Sequence, residues 1–70
     1  MAFQTGQQVA WDWGNGTAEG KITQIYTETV TRTLKGSEVT RHGSDDTPAL
    51  LIEQEDGDQV LKSCTEVRPA

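Results

Sequence analysis

Apolar and polar residues alternate along the first part of the chain, a pattern typical of β-strands. Within residues 7–13, Val9, Trp11 and Trp13 fall on one side and the residues between them fall on the other. The stretch after this segment is rich in glycine, which breaks the pattern. We therefore predict a first strand at 7–13 whose two indoles face mostly the core.

The second predicted strand, residues 20–27, changes its alternation part-way along. Ile22 and Tyr26 share a side that Ile25 does not. Side chains keep to alternate faces of a strand unless an extra residue interrupts it. We therefore expect a bulge or bend near Gln24.

Residues 29–34 and 37–42 predict a hairpin around Lys35-Gly36. If the loop consists of those two residues, Arg32 lies opposite Val39. One face of the hairpin is then entirely polar and the other is mixed. Because neither face is strongly apolar, we expect a poorly buried arm that projects from the rest of the fold, with a weakly specified register.

The most apolar run, residues 49–52, is followed by a turn signal and a returning strand at 59–62. A two-residue turn would set Glu55 against Asp58, and like charges directly opposite each other destabilise a strand pair. A bulged turn with Gly57 in the left-handed conformation instead sets the apolar residues of the two strands against each other. We predict the bulged turn.

These segments give five or six short antiparallel strands and almost no helix signal. Residues 63–67 are compatible with one closing 3₁₀ turn, with Val67 as a plug. Strands of this kind leave edges that a small barrel removes. We predict an all-β, SH3-like barrel. An open meander sheet is the alternative, but it would leave one apolar face uncovered.

Composition narrows the possible functions. The 70 residues carry a formal net charge of −5, and 33% of them are hydrophobic. A core this small leaves little room for a catalytic pocket. Neither the lone His42 nor the lone Cys64 has a predicted catalytic partner. A single cysteine cannot form an internal disulfide, and one cysteine with one histidine cannot complete a four-ligand zinc site. We assign no catalytic residue, no metal site and no cofactor, and expect no enzymatic activity.

Targeting signals are equally sparse. No apolar run approaches the roughly 20 residues that a membrane helix requires, and the N-terminus has no basic region followed by an apolar stretch. We therefore expect a cytoplasmic protein with no membrane partner.

Five segments of the sequence carry a resemblance to a known family. They are 6–20 (GQQVAWDWGNGTAEG), 31–36 (TRTLKG), 48–50 (PAL), 54–57 (QEDG) and 60–62 (VLK). The chain resembles the hypervirulence-associated protein Tudor-like domain family along essentially its whole length. The resemblance implies a Tudor-like, SH3-type barrel and a family whose molecular function is largely uncharacterised. It supplies no catalytic or ligand-binding residue.

We expect one Tudor-like domain over residues 1–70, with residues 1–5 and 68–70 frayed. The candidate ligand-binding residues are Trp13, Tyr26 and Asp12, because a Tudor-type aromatic cage for a methylated cation needs aromatic rings and an acid. The competing interpretation is that the indoles pack in the core. Trp13, which ends its strand beside a glycine-rich loop, is the better candidate for a partly exposed ring, although an ideal strand points Asp12 away from it.

The expected function is a non-enzymatic module that binds a protein or peptide segment, either at the aromatic loop edge or by strand addition along the hairpin. The alternative is a nucleic-acid-binding module that uses the basic residues of the central region. These residues are Lys21, Arg32, Lys35 and Arg41. Clustered cations drive binding to phosphate backbones, whereas the overall negative charge opposes it.

Overall fold

A computed structural model of the chain describes residues 3–70 and contains seven strands in two antiparallel sheets. The elements are β1 Gln8–Trp13, β2 Gly16–Tyr26, β3 Val30–Leu34, β4 Ser37–Arg41, β5 Ala49–Glu53, β6 Gln59–Ser63, a 3₁₀ turn at Cys64–Glu66 and β7 Arg68–Pro69. One sheet has the strand order β6-β5-β2-β1-β7, and the other pairs β3 with β4. The predicted all-β fold is confirmed, with seven strands instead of five or six. No helix in residues 3–70 has the length and apolar character needed to cross a membrane.

The β1–β2 hairpin is longer than the sequence predicted, because β2 begins at Gly16 and not at Gly20. Its register places Trp13 opposite Gly16. Further along β2, the pairing with β5 shifts by one residue between Ile22 and Gln24. This irregularity confirms the bulge expected near Gln24, and it explains why the apolar residues of β2 change sides.

The β5–β6 hairpin has the predicted register, with Ile52 opposite Val60. Gly57 adopts a left-handed φ of 90°. Its N–H donates to the Gln54 carbonyl at 2.9 Å, and the Gln54 N–H donates to the Asp58 carbonyl at 2.7 Å. The bulged turn is therefore confirmed, and it keeps apolar residues of the two strands face to face.

The main core lies on one face of the five-stranded sheet. Its buried members are Val9, Trp11, Ile22, Leu50, Ile52, Cys64 and Val67. The 3₁₀ turn that delivers Cys64 and Val67 is stabilised at its start, where Ser63 Oγ accepts the Thr65 N–H and the Glu66 carboxylate accepts the Ser63 N–H. The predicted closing turn and its Val67 plug are both confirmed.

The sequence predicted that residues 68–70 fray, but the structure pairs Arg68–Pro69 as strand β7. Arg68–Pro69 pairs with Val9 and Ala10 of β1. The Ala70 N–H also donates to the Gln8 carbonyl at 3.1 Å. A proline is tolerated there because an edge strand needs no N–H on its outer side.

The fraying predicted at the N-terminus covers residues 1–5, of which 1 and 2 lie outside the described residues. Phe3 is half-buried and packs against the core. The Gly6 N–H donates to the Ile22 carbonyl at 2.7 Å, and the Ile22 N–H donates to the Gln7 carbonyl at 3.0 Å. This segment is therefore tied to β2 from residue 6 onward.

The β3–β4 hairpin has the predicted register, with Arg32 opposite Val39. Lys35 and Gly36 both have positive φ, 52° and 76°, as in the tight type I′ turns that join strands. The expectation that the hairpin projects freely is wrong. Both strands lie against β6, because their mixed face carries the half-buried side chains of Val30, Leu34 and Val39.

Candidate functional site

An apolar stripe on β1 ends at an exposed indole. Val9, Trp11 and Trp13 share one face of the strand, and their exposed fractions are 0%, 4% and 61%. Among the described residues, Trp13 is the large hydrophobic side chain that remains exposed. The apolar stripe therefore extends past the core, and its last residue, Trp13, is exposed to solvent.

The cause of this exposure lies in the lengths of the strands. On one side of the hairpin, β5 pairs with β2 only from Lys21 onward. On the other side, β7 pairs with β1 only at Val9 and Ala10. The end of the β1–β2 hairpin therefore extends past its neighbours as a two-stranded tip. In that tip the Trp13 ring lies over Gly16, and a Cβ atom added to Gly16 would lie 3.7 Å from the ring.

Asp12 faces away from Trp13, as alternation along a strand requires. Its carboxylate accepts hydrogen bonds from Thr17 Oγ1 at 3.3 Å and from Arg68 Nη2 at 3.1 Å. These contacts tie the tip to β7. Asp12 therefore contributes to the structure of the tip, and its charge is directed away from the indole.

Tyr26 lies at the opposite end of β2 from the tip. Tyr26 is half-buried, and its hydroxyl donates to the Gln24 side chain and accepts from Arg32 Nη1 at 3.4 Å. The structure therefore does not bring Trp13, Tyr26 and Asp12 together. The aromatic cage considered from the sequence is not assembled around one point.

The four candidate nucleic-acid contacts are also distributed over two sheets. Lys21 is exposed on β2, opposite Glu53 of β5, whereas the other three lie on the β3–β4 hairpin. Arg41 donates from Nε to the Leu61 carbonyl at 3.2 Å and forms an ion pair with Glu66 at 3.6 Å. Arg41 and Lys35 thus turn toward β6 and its flanking segments, whereas Arg32 donates to the Tyr26 hydroxyl of β2.

Lys35 and Asp58 form the shortest ion pair described, with 2.6 Å between Lys35 Nζ and Asp58 Oδ2. The hydrogen bond to Asp58 raises the pKa of Lys35. The same hydrogen bond lowers the pKa of Asp58. Both groups therefore stay charged over a wider pH range than they would alone, and the pair links the β3–β4 turn to the β5–β6 turn.

A groove of about 360 Å³ separates the β3–β4 hairpin from β6. Its apolar lining comes from Leu34, Val39, Val60 and Leu61, and Lys35 and Lys62 contribute the charged side chains. Sequence reasoning treated the hairpin as a free arm and therefore missed this feature. The available signal was the mixed face of the hairpin, whose apolar residues needed something to cover.

In the described part of the chain, residues that carry other chemistry are not grouped into a site. The His42 ring shares a hydrogen bond with Thr29 Oγ1 at 3.0 Å on the polar face of the hairpin, and Cys64 is buried in the core. Acidic side chains line shallow depressions near the β1–β2 tip, among them Glu19 and Glu55. Across residues 3–70, no three His, Cys, Asp or Glu side chains are close enough together to hold a metal ion.

The sequence and the fold agree on a family. The family model described as the hypervirulence associated proteins Tudor domain matches residues 6–67 of the 70-residue chain. The chain belongs to this family. A search of curated proteins and a search of solved structures each found no match.

Membership of this Tudor domain family indicates a binding module. Tudor domains generally bind proteins or nucleic acids. Within residues 3–70 of this Tudor domain, an exposed indole lies at the β1–β2 tip and an apolar groove lies beside β6.

Proposed function

We propose that this domain is a non-enzymatic module that binds a segment of another protein, with Trp13 as its apolar anchor. The observation that carries the proposal is the 61% exposure of Trp13 at the end of an otherwise buried stripe. Tryptophan is enriched among the few residues that dominate the free energy of protein interfaces, because one ring buries a large area at a small entropic cost.

The environment of the ring favours flat contact over enclosure. One surface of the indole lies against the backbone at Gly16, which has no side chain. Neither Tyr26 nor Asp12 faces the ring. A methylated cation would therefore find one ring without a second ring or an acid. A proline or aliphatic side chain of a protein segment is the ligand chemistry that a single flat ring accommodates best. In the proposal Trp13 makes the contact, and Asp12 positions the tip through Arg68.

The nucleic-acid alternative has weaker support. Two of its four candidate cations, Lys35 and Arg41, already pair with Asp58 and Glu66, and the chain carries a net charge of −5. Phosphate binding depends on cations that can release the counterions of the nucleic acid. We therefore keep the protein segment as the proposed ligand and include oligonucleotides in the test.

A displayed library of random peptides, panned against the isotope-labelled domain, tests the proposal. The selected peptides should shift amide resonances between residues 13 and 20. They should lose about thirtyfold in affinity for the Trp13→Ala variant, the change expected for a residue that dominates an interface. Trp13→Phe is the matched control and should retain part of the affinity, because it keeps an aromatic face.

Three outcomes contradict the proposal. Equal binding by wild type and Trp13→Ala removes the indole from the interface. A collapsed amide spectrum for Trp13→Ala shows that the residue is part of the core. A random oligonucleotide that shifts residues 32–41, with an affinity that falls steeply with salt, favours the nucleic-acid alternative.

A further inference from the structure

The five-stranded sheet ends at β6, although the β3–β4 hairpin lies beside that edge. Within residues 3–70 no backbone hydrogen bond joins β6 to β4, and the two strands belong to different sheets. An unpaired edge offers a row of N–H and C=O groups to any extended segment that can reach it. The outer edge of β6 can therefore accept an additional strand when the hairpin, which lies against β6, moves outward.

The residues that present this edge follow from the register. The backbone groups of an antiparallel strand point alternately toward the partner strand and away from it. Gln54 and Asp58 are hydrogen-bonded at the turn, so Gln59, Leu61 and Ser63 direct their backbone groups outward. Two side-chain contacts agree, because Arg41 donates to the Leu61 carbonyl and the Ser63 N–H donates to Glu66. The backbone of Gln59 and the N–H of Leu61 are left facing outward.

The groove beside this edge combines an apolar lining with positive charge. Its lining contains four large apolar side chains and two lysines, of which Lys35 is paired with Asp58 at 2.6 Å and Lys62 forms no ion pair within residues 3–70. The chain as a whole carries a net charge of −5. Lys62 therefore gives the groove a positive charge that is opposite in sign to the net charge of the molecule, and an acidic ligand fits it best.

The hairpin is held over this region by two ion pairs. One joins Lys35 to Asp58 at 2.6 Å, and the other joins Arg41 to Glu66 at 3.6 Å. Ion pairs exposed to solvent contribute little stability and weaken with salt. A carboxylate of an incoming segment can replace Asp58 as the partner of Lys35, and Asp58 is then hydrated by solvent instead.

We propose that the groove binds an extended, acidic protein segment that adds to the edge of β6 as a strand. Side chains of a strand alternate between its two faces. Apolar residues of the segment pack on the groove lining, and the acidic residues between them reach Lys35 and Lys62. Two strands of the sheet, β5 and β2, lie between this surface and β1, which carries Trp13, so this proposal does not depend on the indole being a contact.

A displayed library of peptides about seven residues long, with valine at every second position and random residues between, is the first test. Selection on the wild-type domain should enrich aspartate and glutamate at the random positions and shift the amide resonances of residues 59–62. Enrichment of lysine and arginine, or no enrichment at all, overturns the proposal.

Backbone pairing is tested on a selected peptide by methylating its amide nitrogens. Only every second amide of an added strand donates to the neighbouring edge. Methylation in that phase should lower affinity by about tenfold or more, because it removes hydrogen bonds to the β6 backbone. Methylation in the other phase should change affinity less than about twofold. Equal effects in both phases overturn strand addition.

Two charge reversals on the domain form a matched pair, Lys62→Glu in the groove and Lys21→Glu on the exposed face of β2. Lys62→Glu should weaken the acidic peptide about fivefold, as expected for one exposed charge pair, and Lys21→Glu should leave it nearly unchanged. If Lys62→Glu disturbs the fold, Lys62→Gln replaces it in the test, because it removes the charge without reversing it. Equal losses for both sites overturn the proposed contact.

Two further measurements separate the possible occupants of the groove. Trp13→Ala should bind the acidic peptide as wild type does, which distinguishes this surface from the one proposed for the indole. Sedimentation of the domain alone should show a monomer. A dimer that loses its self-association in Lys62→Glu makes a second copy the occupant and overturns the proposal.

Discussion

Trp11 and Trp13 stand on the same face of β1, two residues apart, yet Trp11 is 4% exposed and Trp13 is 61% exposed. The difference arises because β5 and β7 stop short of the end of the β1–β2 hairpin. One indole is consequently part of the core, and the other extends the same apolar stripe into solvent.

Alanine substitution should separate the two indoles. Trp11→Ala leaves a large cavity and should lower the free energy of unfolding by about 3–5 kcal/mol. That equals the whole stability expected of a core this size, so the variant should be unfolded. Trp13→Ala should cost less than about 1 kcal/mol, because exposed substitutions away from caps and networks are nearly neutral. Urea titration followed by far-ultraviolet circular dichroism measures both, and a loss for Trp13→Ala as large as that for Trp11→Ala would contradict this assignment.

Gly20 and Gly16 form a second matched pair. A Cβ on Gly20 would lie 2.5 Å from Ile52 Cγ2 and 2.8 Å from the Glu53 carbonyl oxygen, whereas on Gly16 it would meet only the Trp13 ring, at 3.7 Å. Gly20→Ala should therefore lower the free energy of unfolding by about 1–3 kcal/mol, because the clashing carbonyl belongs to the backbone and cannot rotate away. Gly16→Ala should be close to neutral. Thermal unfolding of the two variants tests this, and equal melting temperatures would refute it.

The Lys35–Asp58 pair should make stability depend on pH at both extremes. The pKa of Asp58 lies below its ordinary value of 3.8, so its contribution is complete above that value and is lost as the pH falls through the lowered pKa. The pKa of Lys35 lies above its ordinary value of 10.5, so its contribution is complete below that value and is lost as the pH rises through the raised pKa. The pair therefore stabilises the fold between these limits.

Carboxyl chemical shifts of Asp58 check this prediction directly. In Lys35→Gln the pKa of Asp58 should return toward 3.8, because its largest cause, the hydrogen bond to Lys35, is removed. Lys62→Gln removes the same charge elsewhere and should leave Asp58 unaffected. The difference between the two variants should shrink at high salt, since both partners are exposed to solvent. An unchanged Asp58 titration in Lys35→Gln would show that the pair does not form in solution.

The strand pairing of β5 and β6 could be predicted from the sequence because charge and hydrophobicity pointed to the same register. Setting Glu55 against Asp58 is unfavourable, and the bulge at Gly57 avoids it while matching apolar residues. The bulge in β2 was predictable for a related reason, since the change of side between Ile22 and Ile25 needs an extra residue.

The candidate site was less predictable, because the sequence placed the start of the second strand at residue 20. Because β1 also pairs with residues 16–20, Trp13 lies opposite Gly16 at the start of β2, whereas Tyr26 is the last residue of β2. Alternation along a strand determines which face a ring occupies, but it does not determine how far the strand extends past its neighbours. That length decides whether Trp13 is buried.

The groove and strand β7 were missed for a different reason. Both depend on contacts between segments that are distant along the chain, such as Arg68 with Ala10 and Arg41 with Leu61. β7 consists of two residues, one of them proline, and carries no periodicity of its own. The position of the hairpin against β6 depends on tertiary packing that a local pattern does not encode.

Side-chain contacts join the β3–β4 sheet to the five-stranded sheet, and within residues 3–70 no backbone hydrogen bond joins β4 to β6. The two sheets therefore need not open together. A local opening of residues 30–41 breaks two exposed ion pairs, the side-chain hydrogen bonds of Arg32 and Arg41, and the apolar contact with β6, and it leaves the ladder of β1, β2, β5 and β6 intact. Hydrogen exchange should accordingly divide the amides into two populations, with the amides of Leu50 and Ile52 protected to the level of global unfolding and those of Arg32 and Val39 released by smaller fluctuations.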